Sequence, residues 1–476
     1  MNAPMGFVSQ ITNHLDALFE ASARRPLADG MWMSAIDPQT GGFPSQPDNP
    51  SPISYAWMQE GCALLPGKRA YRNIDAPNGC SLYWDQPLAA AAVNIGGSYK
   101  QAAMDYMRAY INKCTTDNGM LLWGNHYYFD MLLGKPVRFD GNETPAPVDL
   151  LTETGDMHEL RPFTPAWDLF FCIDHDWTER YIRVMLEKHL FDPATGGFNR
   201  HANKKKGCAF LEAGGVLIDT LAILYARTKR DTVRDALLKM ARYSFAYRDE
   251  HTGLIENNPT VDRWDKFIST TECGLWAGAL LRAASLTDMP ELGDMAAAVL
   301  SAYLHYGWDT QTGKLFGRLN VKDGSPDKGL KSTLFQPLEY ASAVDPIYPN
   351  HDTPYSFMEA CLDVYQSTKN ALYRTAVERW IGIINDELLD EGSTVYAEHY
   401  GRAILLCLRA EDYGIPGRKL AEHIAQRALT RLCHGRLLIG HDGSRYYSAV
   451  DGIGYLFLGL MYLETGTRPN LFGLSV

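Results

Sequence analysis

The sequence has no Cys-x-x-Cys pair; its nine cysteines are scattered irregularly along 476 residues. That spacing argues against a disulfide framework and against a cysteine-built zinc site, and it fits reduced thiols. There is no excess of basic charge either. Lys and Arg number 45 against 56 Asp and Glu, for a formal net charge of -11. A nucleic-acid binder needs a basic surface, so that class is excluded. A local group of cations can still hold an anionic ligand inside an acidic protein. No apolar run approaches the roughly 18 residues that a membrane span needs. No Walker A sequence, no GxGxxG after a strand and no GxSxG is present, so nucleotide, dinucleotide and α/β-hydrolase chemistry have no anchor. Met1–Gly6 carries neither a basic nor an apolar leader region. The expectation is a cytoplasmic protein, or a periplasmic one if a leader has been removed.

What is present is apolar and aromatic. Hydrophobic residues make up 46%, with 26 Tyr, 18 Phe and 10 Trp. That is enough for a large core, and such rings also line clefts that hold sugars.

One short phrase recurs. Asp37-Pro-Gln-Thr-Gly-Gly-Phe43 returns as Asp192-Pro-Ala-Thr-Gly-Gly-Phe198, and more loosely from Asp249 and from Asp309. Asp390–Tyr396 and Cys433–Leu437 are degenerate candidates. Asp and Thr start a turn by bonding local backbone, and Gly takes the positive-φ position. Between these turns lie segments with helical apolar spacing: 7–24, 88–113, 166–189, 215–247, 272–306, 355–388, 397–411, 418–433 and 448–464. Several are apolar on more than one face, as in Gly274-Leu-Trp-Ala-Gly-Ala-Leu-Leu281. Such helices are buried between two layers. Repeating helical hairpins of this kind predict an all-α fold, an α/α toroid of six or seven hairpins with short β extensions at the rim. A right-handed open solenoid is the alternative. The chain reads as one domain over 1–476, with Lys135–Glu153 as a long loop, an insertion between two of the segments that hold the candidate site.

Three short segments hold the chemistry: Trp123-Gly-Asn-His126, His158-Glu-Leu160 and Asn199-Arg-His201. In a hairpin array, spacings such as 126 to 159 and 159 to 201 bring neighbouring repeats to one rim, where loops carry ligands. His126, Glu159 and His201 would make a three-ligand site with open positions, suited to Zn, Mn, Fe, Co or Ni. The plainer alternative is a hydrogen-bonded loop histidine and a solvated helix start. Arg263 and Lys266, and Arg318 after another copy of the turn, are candidates for binding carboxylates; surface ion pairs are the alternative. Lys204–Lys206 reads as a solvated loop. Trp123, Tyr127 and Tyr128 are candidate sugar platforms, whereas Trp167 reads as core.

These three segments resemble those of the family 2 polysaccharide lyases, the α/α-barrel pectate lyases. That family has Trp-Gly-Gly-His, then His-Glu-Leu/Phe, then Arg-His, in this order. The resemblance covers roughly Leu121–His201; here Asn125 replaces the second Gly, and the connection from His126 to Glu159 is longer. It implies a divalent metal, manganese first, on His126, Glu159 and His201, in contact with the substrate carboxylate. It implies Arg200 as the base at the carbon next to that carboxylate. An arginine keeps its proton very strongly, so a carboxylate clamp with Lys or Tyr as acceptor is the second role open to Arg200. The implied partner is an anionic uronic-acid polymer or oligomer, polygalacturonate-like, cleaved by β-elimination to a 4,5-unsaturated uronide. Nothing in the pattern selects an oligomeric state.

Two other readings use the same scaffold. A glycoside hydrolase on unsaturated uronides would draw its acid and base from Asp156, Asp168, Glu212 or Glu272, and a sugar epimerase would use paired histidines. A helical-repeat scaffold without catalysis would disperse these groups over an outer surface.

Overall fold

The computed structural model describes residues 6–44, 76, 78–124, 127–138, 146–151, 157–160, 162–260, 266–327, 339–344 and 354–474. The chain divides into two compact units. The first comprises Met1–Glu153, Asp168–His175 and Asn385–Leu474; the second comprises Thr154–Trp167, Asp176–Ile384 and Ser475–Val476.

Fourteen α-helices are found among the described residues. In the first unit they are α1 (Phe7–Ala23), α2 (Leu82–Ile95), α3 (Gly97–Cys114), α12 (Ala397–Glu411), α13 (Arg418–Leu432) and α14 (Ile453–Thr465). The second unit contains α6 (Leu211–Thr228), α7 (Asp231–Phe245), α8 (Thr270–Thr287), α9 (Pro290–Gly307) and α10 (Tyr355–Thr368), with most of α5 (His175–His189) and most of α11 (Ala371–Leu388). Helix α4 (Trp167–Ile173) begins at the last residue of one segment of that unit and continues into the first.

Each unit is built in two layers. In the first, α12 packs on α14 and α14 on α2, while α13, α1 and α3 lie behind them. In the second, α6 packs on α8 and α8 on α10, with α7 behind α6 and α9 behind α8. The inner helices are enclosed on every side: 397–410 on α12, 453–463 on α14 and 211–224 on α6 are all buried. Outer helices such as α7 bury one stripe only, through Leu237, Met240, Ala241 and Ser244. This is the inner-and-outer hairpin arrangement of the all-α class expected from the apolar pattern.

Glycine sets how close the inner helices come. A Cβ on Gly401 would lie 2.2 Å from the Tyr455 carbonyl carbon, and one on Gly274 would lie 2.3 Å from the Phe357 nitrogen. Backbones at such separation leave no room for a side chain.

The longest helical segments divide where their apolar spacing does not show it. Segment 88–113 breaks at Gly96, whose φ is 87°. Segments 215–247, 272–306 and 355–388 break at Lys229, Asp288 and Lys369, each left-handed with φ between 51° and 57°. One such residue reverses the chain, so each long segment is an inner helix followed at once by its outer partner.

The recurring phrase then closes the outer helix back toward the next inner one. At Asp37, Asp192, Asp249 and Asp309 the main-chain oxygen accepts from the Gly four residues on, at 2.8–2.9 Å. The Asp Oδ1 accepts from the nitrogen two residues on. Gly41, Gly196, Gly253 and Gly313 all have φ between 66° and 86°. Two further copies carry the same bonds. One is Asp130–Gly134; the other is Asn320–Gly324, where Asn stands for Asp. An apolar residue follows the original copies into short β extensions, as where Leu190–Asp192 pairs antiparallel with Gly197–Phe198.

Within the expected long loop 135–153, the described residues are 135–138 and 146–151, and strands lie among them. Lys135–Arg138 pairs antiparallel with Tyr127–Asp130, and Ala146–Pro147 adds to its far edge. The Asp130 turn fixes that hairpin, and Pro136 and Val137 are buried by it. Among the described residues no helix is long and apolar enough to cross a membrane. The eight described cysteines are free; Cys62 lies outside the described residues.

Two expectations follow. Gly401→Ala should destabilise the protein by about 1–3 kcal/mol through backbone overpacking. Gly382→Ala, at an exposed position of α11 with nothing within 4 Å of where a Cβ would lie, should stabilise it by about 0.5–1 kcal/mol. Urea unfolding of both variants checks the opposite signs; equal effects would contradict the packing described.

The second concerns Asp85, fully enclosed at the start of α2. Burial pushes its carboxyl up to about 7, against the opposing hydrogen bonds from Tyr106, Ser34 and Ser81. The folded state therefore holds a proton that the unfolded chain has lost above its ordinary value of 3.8. This contribution is complete below about pH 4 and disappears as pH rises toward 7. Asp85→Asn should flatten that part of the stability profile in denaturant melts taken across the interval.

Candidate active site

Two short strips of the second unit come together: Met157–Leu160 and Asn199–Ala202. Glu159 bridges His201 antiparallel. Leu160 N donates to Arg200 O at 2.9 Å, and Ala202 N to His158 O at 3.3 Å. The second strip leaves the Gly197–Phe198 extension directly after the Asp192 turn, so that turn fixes where Arg200 and His201 emerge.

The side chains converge. Arg200 Nη2 lies 2.7 Å from Glu159 Oε1, and His201 Nε2 lies 3.8 Å from the same oxygen. Arg200 Nε also donates to His201 Nε2 at 3.4 Å. Glu159 is 3% exposed, Arg200 19% and His201 30%, a gradient from anchor to open group. The guanidinium sits over the Phe210 ring, 4.6 Å from its centroid, which holds the plane in place.

Asn199 secures the loop that follows. Its Nδ2 donates to Lys205 O at 2.9 Å, and its Oδ1 accepts from His201 N at 2.9 Å. Lys204 pairs with Glu187 at 2.8 Å at the surface.

Beneath the strips runs an enclosed chain of rings. Tyr181 OH is 2.7 Å from His158 Nε2, His158 Nδ1 is 2.8 Å from His189 Nε2, and His189 Nδ1 is 2.8 Å from the Asn199 carbonyl. A carbonyl only accepts, so His189 Nδ1 carries the hydrogen and its Nε2 accepts. His158 must then donate from Nδ1 and accept at Nε2 from the Tyr181 hydroxyl. Both imidazoles are neutral. Burial, with the neighbouring ring second, holds His158 well below its usual range. Burial brings His189 down to about 4, against the bond to Asn199. Burial raises Tyr181, which keeps its proton.

Of the expected ligands, Glu159 and His201 are brought together, and Arg200 joins them. His126 lies outside the described residues, as do Asn125, Arg263 and Asp156. Among the described residues no group of three His, Cys, Asp or Glu could hold a metal ion. One carboxylate oxygen and one imidazole nitrogen facing each other are nevertheless a donor pair that fits a divalent cation.

Trp123, Tyr127 and Tyr128 are interior rings of the first unit, 1%, 4% and 0% exposed; Trp123 meets Tyr83 and Phe170 edge-on. Trp167 is enclosed in the second unit against Tyr181, as read from the sequence. Lys266 stands 3.7 Å from Glu256. Arg318, 4% exposed, donates to the Asp327 carbonyl at 3.0 Å and lies over Phe267 of the strand paired with its own. Glu212 and Glu272 stand at the starts of α6 and α8. Asn257 connects these starts, accepting from Leu211 N and donating to Glu272 Oε1 at 3.3 Å. Asp168 begins the part of α4 that belongs to the first unit.

Sequence reasoning missed His189, Tyr181 and Asn257. The first two carry no motif, and only their position on α5 beneath the strips reveals them. Asn257 follows Asp249 at the same offset as Arg200 follows Asp192, and that parallel between two copies of the turn was a usable signal.

Residues 88–212 match the family described as periplasmic pectate lyase, a stretch that includes all three chemical segments. Solved structures similar to the chain include three sugar-active enzymes. A cellobiose 2-epimerase from Bacillus thermoamylovorans is 12% identical with a TM-score of 0.46, covering 63% of this chain and 85% of that one. A GH76 alpha-mannanase from Bacteroides thetaiotaomicron is 12% identical at 0.48, covering 78% and 98%. A D-mannose isomerase is 13% identical at 0.47, covering 98% and 100%.

Asn199→Ala should release the 201–207 loop by removing its hydrogen bonds, destabilising the protein by about 1–3 kcal/mol. Limited proteolysis should then cut first within Lys204–Lys206; an unchanged cleavage pattern would show that Asn199 does not hold the loop.

Proposed function

We propose that the protein is a lyase that cleaves a uronic-acid polymer or oligomer, polygalacturonate-like, by β-elimination. The observation that carries this reading is the convergence of Arg200 and His201 on one carboxylate oxygen of Glu159, within the stretch that matches the pectate lyase family.

The hydrogen at C5 of a uronate is a weak acid, because its loss places more charge beside a carboxylate. Cations placed around that carboxylate lower the barrier by stabilising the developing enolate-like charge. Arg200 supplies one: a planar guanidinium matched to a carboxylate, with one face covered by Phe210. A guanidinium is a poor base, so the role proposed for Arg200 is to clamp the uronate carboxylate while a separate Lys or Tyr accepts the C5 hydrogen as a proton. The C5–H electrons form the C4=C5 bond as the C4–O4 bond breaks; O4 leaves with that bond's electrons and takes up a proton, balancing the one lost from C5, and no water is consumed. Glu159 and His201, completed by His126, would hold a divalent cation, with manganese implied by the resemblance and Zn, Ni, Co or Fe alternatives by donor chemistry. Such an ion, when bound, supplies Lewis-acid neutralisation of the substrate carboxylate.

A hydrolase on unsaturated uronides is the second reading. It is favoured by Glu212 and Glu272 at neighbouring helix starts joined through Asn257.

Incubation with polygalacturonate should produce ultraviolet absorbance from the new double bond, and a chelator should suppress it. Arg200→Ala should lower kcat/KM by on the order of 10²–10³-fold with bound metal retained. Reducing ends released without absorbance would replace the lyase by the hydrolase.

A further inference from the structure

The two strips are too short to fix their own separation, since a ladder of this length is marginal without support. What they share is His189. Its Nδ1 donates to the Asn199 carbonyl at 2.8 Å, and its main-chain oxygen accepts from Asn199 N at 2.9 Å. Both main-chain groups of Asn199, the residue before Arg200, are therefore tied to one residue. Its Nε2 accepts from His158, the residue before Glu159, at 2.8 Å. His158 is held on its other side by Tyr181, eight residues before His189 on the same helix α5. His158 and His189 are fully enclosed, as is Tyr181, so water cannot replace these bonds.

We infer that His189 is the positioning residue of the site: one imidazole, braced through His158 by Tyr181, sets the distance between Glu159 and the Arg200–His201 pair. This inference rests on reading those strips as the site. Its geometric content does not depend on which reaction or cation the site serves. The ring works because its two nitrogens face opposite strips, one donating and one accepting. A glutamine amide can supply a donor and an acceptor on neighbouring atoms, whereas leucine supplies neither.

The test follows the Arg200 Nε hydrogen and the imidazole nitrogens by NMR in ¹⁵N-labelled full-length protein, with Mn²⁺ titrated by calorimetry as the probe. In the wild type both His158 and His189 should show hydrogen on Nδ1, and the Arg200 Nε hydrogen should be protected from exchange. His189→Leu should abolish that protection and weaken Mn²⁺ binding on the order of ten- to a hundred-fold, while His189→Gln restores both. Tyr181→Phe removes a single hydroxyl and should give an intermediate loss; it serves if the leucine variant does not fold. Arg200 protection unchanged in His189→Leu, or in Tyr181→Phe where the leucine variant fails to fold, would overturn the inference, as would hydrogen on Nε2 of either histidine. Absence of Mn²⁺ binding in the wild type would instead remove the metal reading, and the NMR arm would still decide the role of His189.

Discussion

Everything in this chain depends on inner helices that are buried on all sides. A helix such as Ala397–Glu411, enclosed from 397 to 410, has no face left for water. Its neighbours must supply contact in every direction, and glycines at the crossings let backbones meet without side chains. Polar groups that need water or a ligand are then concentrated at the ends of these helices and in the strips leading to them. Glu212, Glu272, Glu159 and Arg200 all occupy such places. The candidate groups therefore sit where inner helices begin or in the strips that lead to them.

That constraint is what made the fold legible. Apolar residues on more than one face of a segment have one physical explanation, burial between layers, and they could be recognised without knowing any contact. The Asp-to-Gly turn was equally legible because its bonds are local: an Asp oxygen, the next few nitrogens and a glycine with positive φ. Its copies at Asp130 and Asn320 went unseen for a chemical reason. Asn offers the same oxygen as Asp, and the Thr that marks the other copies contributes less than the terminal residues do. The helix breaks at Lys229, Asp288 and Lys369 were hidden because non-glycine residues took the left-handed conformation, which composition does not advertise.

The candidate site was legible where its residues adjoin each other in sequence. Glu159, Arg200 and His201 lie on two strips whose order and spacing could be read, and they meet in space. His189 and Tyr181 were beyond reach, since a lone His or Tyr on a helix is ordinary until something is known to lie over it. The aromatic segment 123–128 shows the converse. Trp and Tyr beside a histidine suggest a sugar platform, but a large ring fills a core equally well, and burial is set by distant parts of the chain that one segment does not encode. Trp123 and Tyr128 are enclosed for that reason.

Glu159 links fold to chemistry through charge. A carboxylate 3% exposed needs a compensating cation, because an unpaired buried charge is strongly destabilising. Arg200 meets that need at 2.7 Å. A divalent ion shared with His201 would meet it too, and both address the same oxygen, so pairing with Arg200 and holding an ion are alternative ways to satisfy Glu159. With the ion in place, the guanidinium would lose its partner while remaining braced on Phe210, and the nearest compensation for it would be an incoming carboxylate. An arginine next to a proposed metal ligand is therefore consistent with the proposed reaction even though it is a poor base: its attraction for the uronate would rise if Glu159 were engaged elsewhere. The fixed spacing of the two strips matters for the same reason, since the exchange requires both cations to reach one oxygen.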